Sequence, residues 1–552
     1  MFSKFHHIFD AFSPKERRMF QDTCLVFAFA LFFYGVNAFY GATILAPVPG
    51  GSYTEGVVGQ PIAINPLIAG TNDPDRDLME ISFSDLTELA ERYTPDDTHR
   101  IWTVVLKENL HWSDGEPLTS DDIIFTLETI QNPDTHSPAF AGWQGVVAER
   151  LSEREVRFTL KTPYAFFSHN LASLKITPEH VFSTIPAANL RLSDYNLEPV
   201  GSGPYSFAGY EKRRDGFVTD YHFVASPYYS GEAPLIKELS FKFFPNYQEA
   251  INAFNQRHID GLGGIAPQDV DAVRINHRVA ELAIPRYYAV FINQTTSLQL
   301  REKEVRTALD TAIDRAEILT VALENRGLPV GGPLTPGIEG YDAEIGAGAR
   351  FLPDATNAAL DAAGWLLGDD GVRRKTIQGN ELRLAFELVV PDIAFLVKTA
   401  EVLAERWKNV GIEITTTILS PTEVANDVVK TRNYQLLMFG NILNMNPDIF
   451  SFWHSSEKFR PGLNLSVYEN KSVDTLLEAI RREFNVEKRE EQIRELERLI
   501  DADKPAVFLF SPYYLYLAPK NLGGLENPQV SSPANRFQNV AEWYLKTARV
   551  FR

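Results

Sequence analysis

Trp102-Thr-Val-Val-Leu-Lys-Glu-Asn-Leu-His-Trp-Ser-Asp-Gly-Glu-Pro-Leu-Thr-Ser-Asp-Asp-Ile-Ile-Phe-Thr126 is the most legible stretch of the chain. Trp102, Val104 and Leu106 alternate as on a half-buried strand. Ser113-Asp114-Gly115 reads as a turn, with glycine free to take a positive φ. Thr119 stands three residues before Asp122, the spacing of a capping box, and so starts a helix. Ile123, Ile124, Leu127 and Ile130 give that helix one apolar face. The block is strand–turn–helix scaffold and carries no catalytic chemistry.

The totals set bounds on the rest. A chain of 552 residues is too long for one hydrophobic core, so two or three lobes are expected. Hydrophobic and charged fractions of 44 % and 23 % are those of a globular protein. A formal net charge of −19 argues against nucleic acid and against a body lying on anionic lipid. The single cysteine, Cys24, leaves no internal disulfide.

Near the N-terminus, Lys4, Lys15, Arg17 and Arg18 precede an apolar run from Cys24 to about Leu45. That run has the roughly 20 residues needed to cross a bilayer, and basic residues before it place the N-terminus inside. Cys24 precedes the run, so it is not a lipobox cysteine. The favoured reading is an uncleaved signal anchor over 24–45, with a cytoplasmic segment 1–23 and a linker 46–51. A cleaved signal peptide and a buried helix are the alternatives.

Strands are expected at 156–160 and 239–243, and helices at 305–325, 393–409 and 471–503, the last broken around Asn485. Between 382 and 439 the pattern is β-α-β-α-β: strand 384–390, helix, strand 412–419, helix 423–430, strand 434–439. This predicts a parallel sheet with right-handed crossovers. Ligands bind beyond the carboxyl ends of such strands. The loop Gly440-Asn441-Ile442-Leu443-Asn444-Met445-Asn446-Pro447-Asp448 is therefore the first candidate for ligand contact.

No zinc motif, serine elbow, Walker A loop or dinucleotide glycine loop occurs in the sequence. Ser455-Ser-Glu-Lys458 has the S-x-x-K spacing of penicillin-binding hydrolases but lacks the partner motifs, and reads as a polar loop. Asp121-Asp122 complement a helix macrodipole. A binding protein instead needs a cleft with aromatic walls and a hinge. Aromatics cluster at Phe450, Phe452 and Trp453, and again at Tyr513, Tyr514 and Tyr516.

The opening block resembles the signature of the family-5 extracellular solute-binding proteins, W-x-x-x-L-[KR]-x-x-x-x-[FW]-x-D-G-x-P-h-T-x-x-D-h-x-[FY]-[ST] (h apolar). It departs at Asn109, where the family usually has glycine. Further segments resemble the family in order along the body: Pro199–Tyr205, Ser226–Gly231, Val290–Asn293 followed by Val305–Arg315, Ala359–Trp365 and Asn464–Asp474. The resemblance implies an α/β receptor of the periplasmic-binding type II-like fold, preceded by one transmembrane helix. It divides the body into lobe I (51–70, 200–288, 513–552), an extra subdomain (71–199) and lobe II (289–512).

The resemblance also implies a hinge at Phe291 and Asn293 and near 511–519. It implies a cleft bordered by Gly440, Asn441, Leu443, Asn444, Met445, Trp453, Tyr513 and Tyr514, with no cofactor, metal or catalytic residue. The partners it implies are a peptide or other small solute and the permease of an ABC importer, with a monomeric receptor outside the cytoplasmic membrane. In related peptide receptors an Asp in the loop equivalent to 440–448 pairs with the ligand's α-amino group. Here Asn444-Met445-Asn446 supplies no carboxylate, and Asp448 is expected only to shape a turn. A nickel chelate, haem, an oligosaccharide, a sensor role and a surface hydrolase are the alternatives.

Overall fold

The computed structural model describes residues 12–70, 72–525 and 530–552. Lys4 with residues 1–11 of the expected cytoplasmic segment, the start of the extra subdomain at Thr71, and 526–529 of the lobe I tail lie outside the described residues.

Two large sheets organise the body. The first has the strand order Arg278–Leu282, Tyr514–Ala518, Gly261–Gly263, Ser52–Val58, Glu238–Phe244, Val218–Ala225, Tyr205–Lys212. The second runs Gly327–Pro329, Ala506–Pro512, Arg286–Ile292, Leu436–Ile442, Ala385–Pro391, Glu413–Leu419. The expected parallel unit is present in the second sheet, with Ala385–Pro391 parallel to both Glu413–Leu419 and Leu436–Ile442.

Side chains alternate across the second sheet. Val290, Ile292, Leu436, Met438, Val507 and Leu509 join one core, while Ala289, Phe291, Leu437, Ala506 and Phe508 join another on the opposite face. Burial on both faces is why these strands read as continuous apolar runs.

The extra subdomain is a four-stranded sheet in the order Ala90–Pro95, Ile101–Leu106, Glu155–Thr159, Val147–Ser152. Its core is continuous with that of lobe I, from Trp102 and Phe158 through to Tyr205, Phe241 and Trp543. The opening block folds as read. Ile101–Leu106 is a strand, and Thr119 caps the Ser120–Gln131 helix while Asp122 reaches back to the Thr119 N–H at 2.8 Å. Asn109 sits at φ 55°, so the residue in the family's glycine position does need a left-handed backbone. Asn tolerates that region better than other L-residues. Gly201 and Gly203 press against the Ser82 and Ile81 carbonyls, where a Cβ would lie 1.9 and 2.4 Å away.

Lobe I is tied together by a buried charge cluster. Arg536 donates to both Asp77 oxygens at 2.8 and 2.6 Å and to Glu55 at 3.0 Å, joining the tail to the Ser52–Val58 strand and the Asp73–Ser82 helix. Burial pushes Glu55 up to about 7 against the pull of Arg536.

Several expectations need adjusting. The 305–325 helix is two helices, Lys303–Thr311 and Arg315–Leu323, because the Asp314 carboxylate caps the second one. The 471–503 helix breaks as expected: Lys471–Ile480 is followed by Val486–Asp503, which Asn485 caps. The apolar N-terminal helix runs from Pro14 to Ala42 and has no buried residue, so it starts well before Cys24. Ala46 and Pro47 are not linker; they end the strand Thr43–Pro47, which pairs with Thr547–Phe551.

Two stability predictions follow from these environments. Asn109→Gly is expected to be neutral or stabilising by a few tenths of a kcal/mol, and Asn109→Val to cost about 1–2 kcal/mol in urea unfolding; equal midpoints would refute the strain. Burial raises Glu497 to about 8, against the opposing pull of the Asp342 N–H, which its carboxylate accepts at 2.8 Å, and of the Leu334 N–H. The folded state thus holds a proton that the unfolded chain releases near the ordinary glutamate value. Stability from this group is complete below that value and is lost as pH rises towards 8, by about 1.4 kcal/mol per unit at most. Glu497→Gln should flatten this decline in denaturation midpoints measured from pH 5 to 9.

Candidate functional site

The chain passes between the two sheets twice. It leaves the first sheet at Leu282 and enters the second at Arg286; it leaves the second at Pro512 and re-enters the first at Tyr514. These crossings lie side by side. Arg278–Leu282 pairs with Tyr514–Ala518 in one sheet, and Arg286–Ile292 pairs with Ala506–Pro512 in the other. The Ser511 hydroxyl donates to the Ile284 carbonyl at 3.3 Å within the crossing. The first crossing is therefore 283–285, ahead of the expected hinge, and lobe II begins at Arg286 rather than Ala289. Phe291 and Asn293 are each 1 % exposed. Phe291 packs inside lobe II, and Asn293 donates to the Arg432 carbonyl at 2.9 Å and caps a turn at Thr295.

Beside the crossings lies a cleft made of two cavities, about 610 and about 510 Å³, which share Asn170, Asn446, Asp448 and Ser451. In the larger cavity the Leu160–Tyr164 segment of the extra subdomain faces Phe450 and Arg481 of lobe II. Tyr164 donates to Asp448 at 2.7 Å, and Arg481 pairs with the same carboxylate oxygen at 3.1 Å. The Arg481 guanidinium also lies over the Tyr164 and Phe450 rings, 5.2 and 4.5 Å from their centroids. Burial, and then the Asp448 charge, push the Tyr164 phenol far above its ordinary value. Asp448 does shape a turn, accepting the Phe450 N–H at 3.2 Å, but its other oxygen joins the two walls of the cleft.

The smaller cavity sets Glu80, Asp85 and Lys175 across from the Ile442–Asn446 loop. Lys175 lies 3.1 Å from each carboxylate and donates to the Phe83 carbonyl at 3.0 Å. Two acids and one base leave excess negative charge on this wall. Burial raises Asp85 to about 6, with Lys175 opposing. The His169 ring lines the same space, and burial lowers its proton affinity. No residue in this wall was singled out from sequence, because Glu80, Asp85 and Lys175 carry no motif and meet only through the fold.

The candidate residues divide accordingly. Asn444 is exposed at φ 49° and lines the smaller cavity, with Leu443 buried beneath it; Met445, at φ 56°, continues the turn. Gly440 lies opposite Tyr288, whose ring would sit 2.9 Å from a Cβ at that position, and Asn441 donates to the Tyr287 hydroxyl at 2.9 Å. Trp453 is a correction: it is 0 % exposed, packs on Phe291, Phe508 and Tyr468 within lobe II, and lines neither cleft cavity. Tyr513 sits at the second crossing, and Tyr514 packs against the lobe I core near Arg536. Neither lines the two cleft cavities.

Two α/β lobes joined by a double strand crossing, with a polar cleft beside it, define a solute receptor of the periplasmic-binding type. The sequence profile described as bacterial extracellular solute-binding proteins, family 5 (middle), matches residues 87–461, and the chain belongs to that family. Members are the substrate-binding receptors of ABC transporters, not enzymes. The oligopeptide-binding protein AppA of Bacillus subtilis is 26 % identical over 530 residues, covering 90 % of this chain and 92 % of its own. The nickel-binding periplasmic protein of Escherichia coli is 25 % identical over 336 residues, covering 59 % and 62 %. In fold, the chain is similar to the substrate-binding protein CtaP of Listeria monocytogenes, with a TM-score of 0.77, 23 % identity, and 90 % and 99 % coverage.

Tyr164→Phe deletes the phenol–carboxylate bond between the cleft walls while keeping the ring. It is expected to cost about 1–3 kcal/mol of the closed form, roughly tenfold or more in the closed-to-open ratio. Small-angle scattering of the ligand-free protein should register a larger radius of gyration; an unchanged curve would show that this bond does not hold the walls together.

Proposed function

We propose that this chain is the peptide receptor of an ABC importer, acting as a monomer that binds di- and oligopeptides in the cleft and delivers them to a membrane permease. The observation that carries this reading is the cleft itself. It is polar, and its walls come from parts of the fold that the chain links by two strand crossings, so a ligand touching both walls favours the closed form. The acidic excess at Glu80, Asp85 and Lys175 suits an amino group, a role the Asn444–Asn446 loop leaves open. The 26 % identity to AppA over nearly its whole length supports a peptide cargo.

The same reading holds the body at the outer face of the membrane through the Pro14–Ala42 helix as an uncleaved anchor. That helix passes directly into the Thr43–Pro47 strand. Arg549 on the paired strand lies 3.8 Å from the Tyr40 ring centroid and donates to the Thr43 hydroxyl at 3.2 Å.

Mass spectrometry of the protein purified from its native host tests both parts. The expected result is an intact mass that retains the helix, and co-purified peptides displaced by titration at 1:1 stoichiometry. A bound nickel chelate, or a mature chain starting near Pro47, would overturn the peptide and anchor readings respectively.

A further inference from the structure

At the carboxyl ends of the lobe II parallel strands there is a third cavity, of about 260 Å³. Its walls are largely apolar, formed by Tyr288, Pro391, Ile393, Leu396 and Phe439. Arg286 lines it, and Ile442 lines both it and the cleft. Arg286 forms no ion pair among the described residues, and its buried Nε has no hydrogen-bond partner. Two other buried arginines have carboxylates at their guanidinium ends, Asp77 and Glu55 for Arg536 and Asp361 for Arg373, although the Arg536 Nε is likewise unpartnered. A half-buried guanidinium left without an anion is costly, and a planar fork is matched by a carboxylate.

We propose that this cavity is a specificity subsite for an apolar group that carries or adjoins a carboxylate, with Arg286 as the carboxylate's partner. The proposal rests on the peptide-receptor reading. Within a peptide, either a free C-terminal apolar residue or an acidic side chain next to an apolar one supplies this chemistry. Tyr288 forms the floor, because Gly440 lets its ring lie flat across the strand pair. Arg286 stands directly opposite Ile442 in register, so a ligand extending from the cleft meets apolar wall and cation together.

The test presents the full chain with pools of synthetic pentapeptides ending in Leu, Phe or Lys, each as free acid and as amide. A further amidated pool carries Asp or Glu beside an internal Leu or Phe. Retained species are read by mass spectrometry. The wild type is expected to retain apolar-ended acids at least about tenfold over their amides, the ratio a charge-assisted bond supplies. Retention of the internal acidic pool instead assigns the carboxylate to a side chain and also supports the subsite. Arg286→Gln should bring the acid-to-amide ratio close to one. Ile393→Trp, which fills the cavity without touching the cation, should abolish the Leu and Phe preference; thermal unfolding checks that both variants are folded. Peptides retained with no preference for a carboxylate overturn the subsite and leave the receptor reading standing. No peptide retained in any pool overturns both.

Discussion

One constraint governs the whole molecule: the two lobes share a single antiparallel pair of chain segments. Residues 278–292 run against 506–518, forming adjacent strands in one sheet and then, a few residues on, adjacent strands in the other. The chain passes between the two large sheets through the short links 283–285 and 513. Sheets resist in-plane deformation because their ladders are cooperative, whereas a link residue absorbs a change of φ and ψ at little cost. The cleft lies beside these links, so a change of φ and ψ in them would alter the distance between its walls.

What crosses the cleft opposes that freedom. Phe166 of the extra subdomain is 1 % exposed and belongs to the lobe II core, with the Arg489 guanidinium 5.3 Å from its ring centroid. Burying such a ring contributes about 1.5–3 kcal/mol, comparable to a good charge-assisted bond such as Tyr164 to Asp448. The Ala165 N–H donates to the Arg481 carbonyl at 2.8 Å beside it. The extra subdomain shares its core with lobe I and lays Phe166, Tyr164 and His99 against lobe II, the last stacked on Phe484 with ring centroids 3.7 Å apart. Separating these surfaces would expose the Phe166 ring and break the Tyr164–Asp448 and Ala165–Arg481 hydrogen bonds and the His99–Phe484 stack, a cost that a ligand contacting both walls can offset.

Much of this architecture was legible because it is local. A capping box, a turn glycine and a period of two or 3.6 are written within a dozen residues, and the Trp102–Thr126 block, the lobe II parallel unit and the break at Asn485 all followed. Asp314 was equally legible, since Glu317 follows it at capping-box spacing, and the single long helix was a misreading of a present signal. The misplaced hinge is different. Arg286–Ile292 has a clear strand pattern, but nothing in it says which sheet it joins. Trp453 fails for the same reason: aromatics after a candidate loop look like a cleft wall until helical packing turns one of them inward. Tyr164 and Asp448 meet across 284 residues of sequence, and such long-range pairs leave no periodic trace.

The N-terminal helix extends the same logic beyond the lobes. A flexible linker would leave an anchored body free to tumble over an area set by linker length. Here Thr43–Pro47 is locked along its length to Thr547–Phe551, and Phe39 meets Phe551 edge-to-face with centroids 6.0 Å apart. The Val48 N–H then bonds the Lys546 carbonyl at 3.0 Å, so the pairing runs into lobe I with no free segment between. Under the proposed anchoring, helix direction fixes the direction of lobe I. Lobe II becomes the part that moves, and the cleft keeps a constant height above the permease it serves.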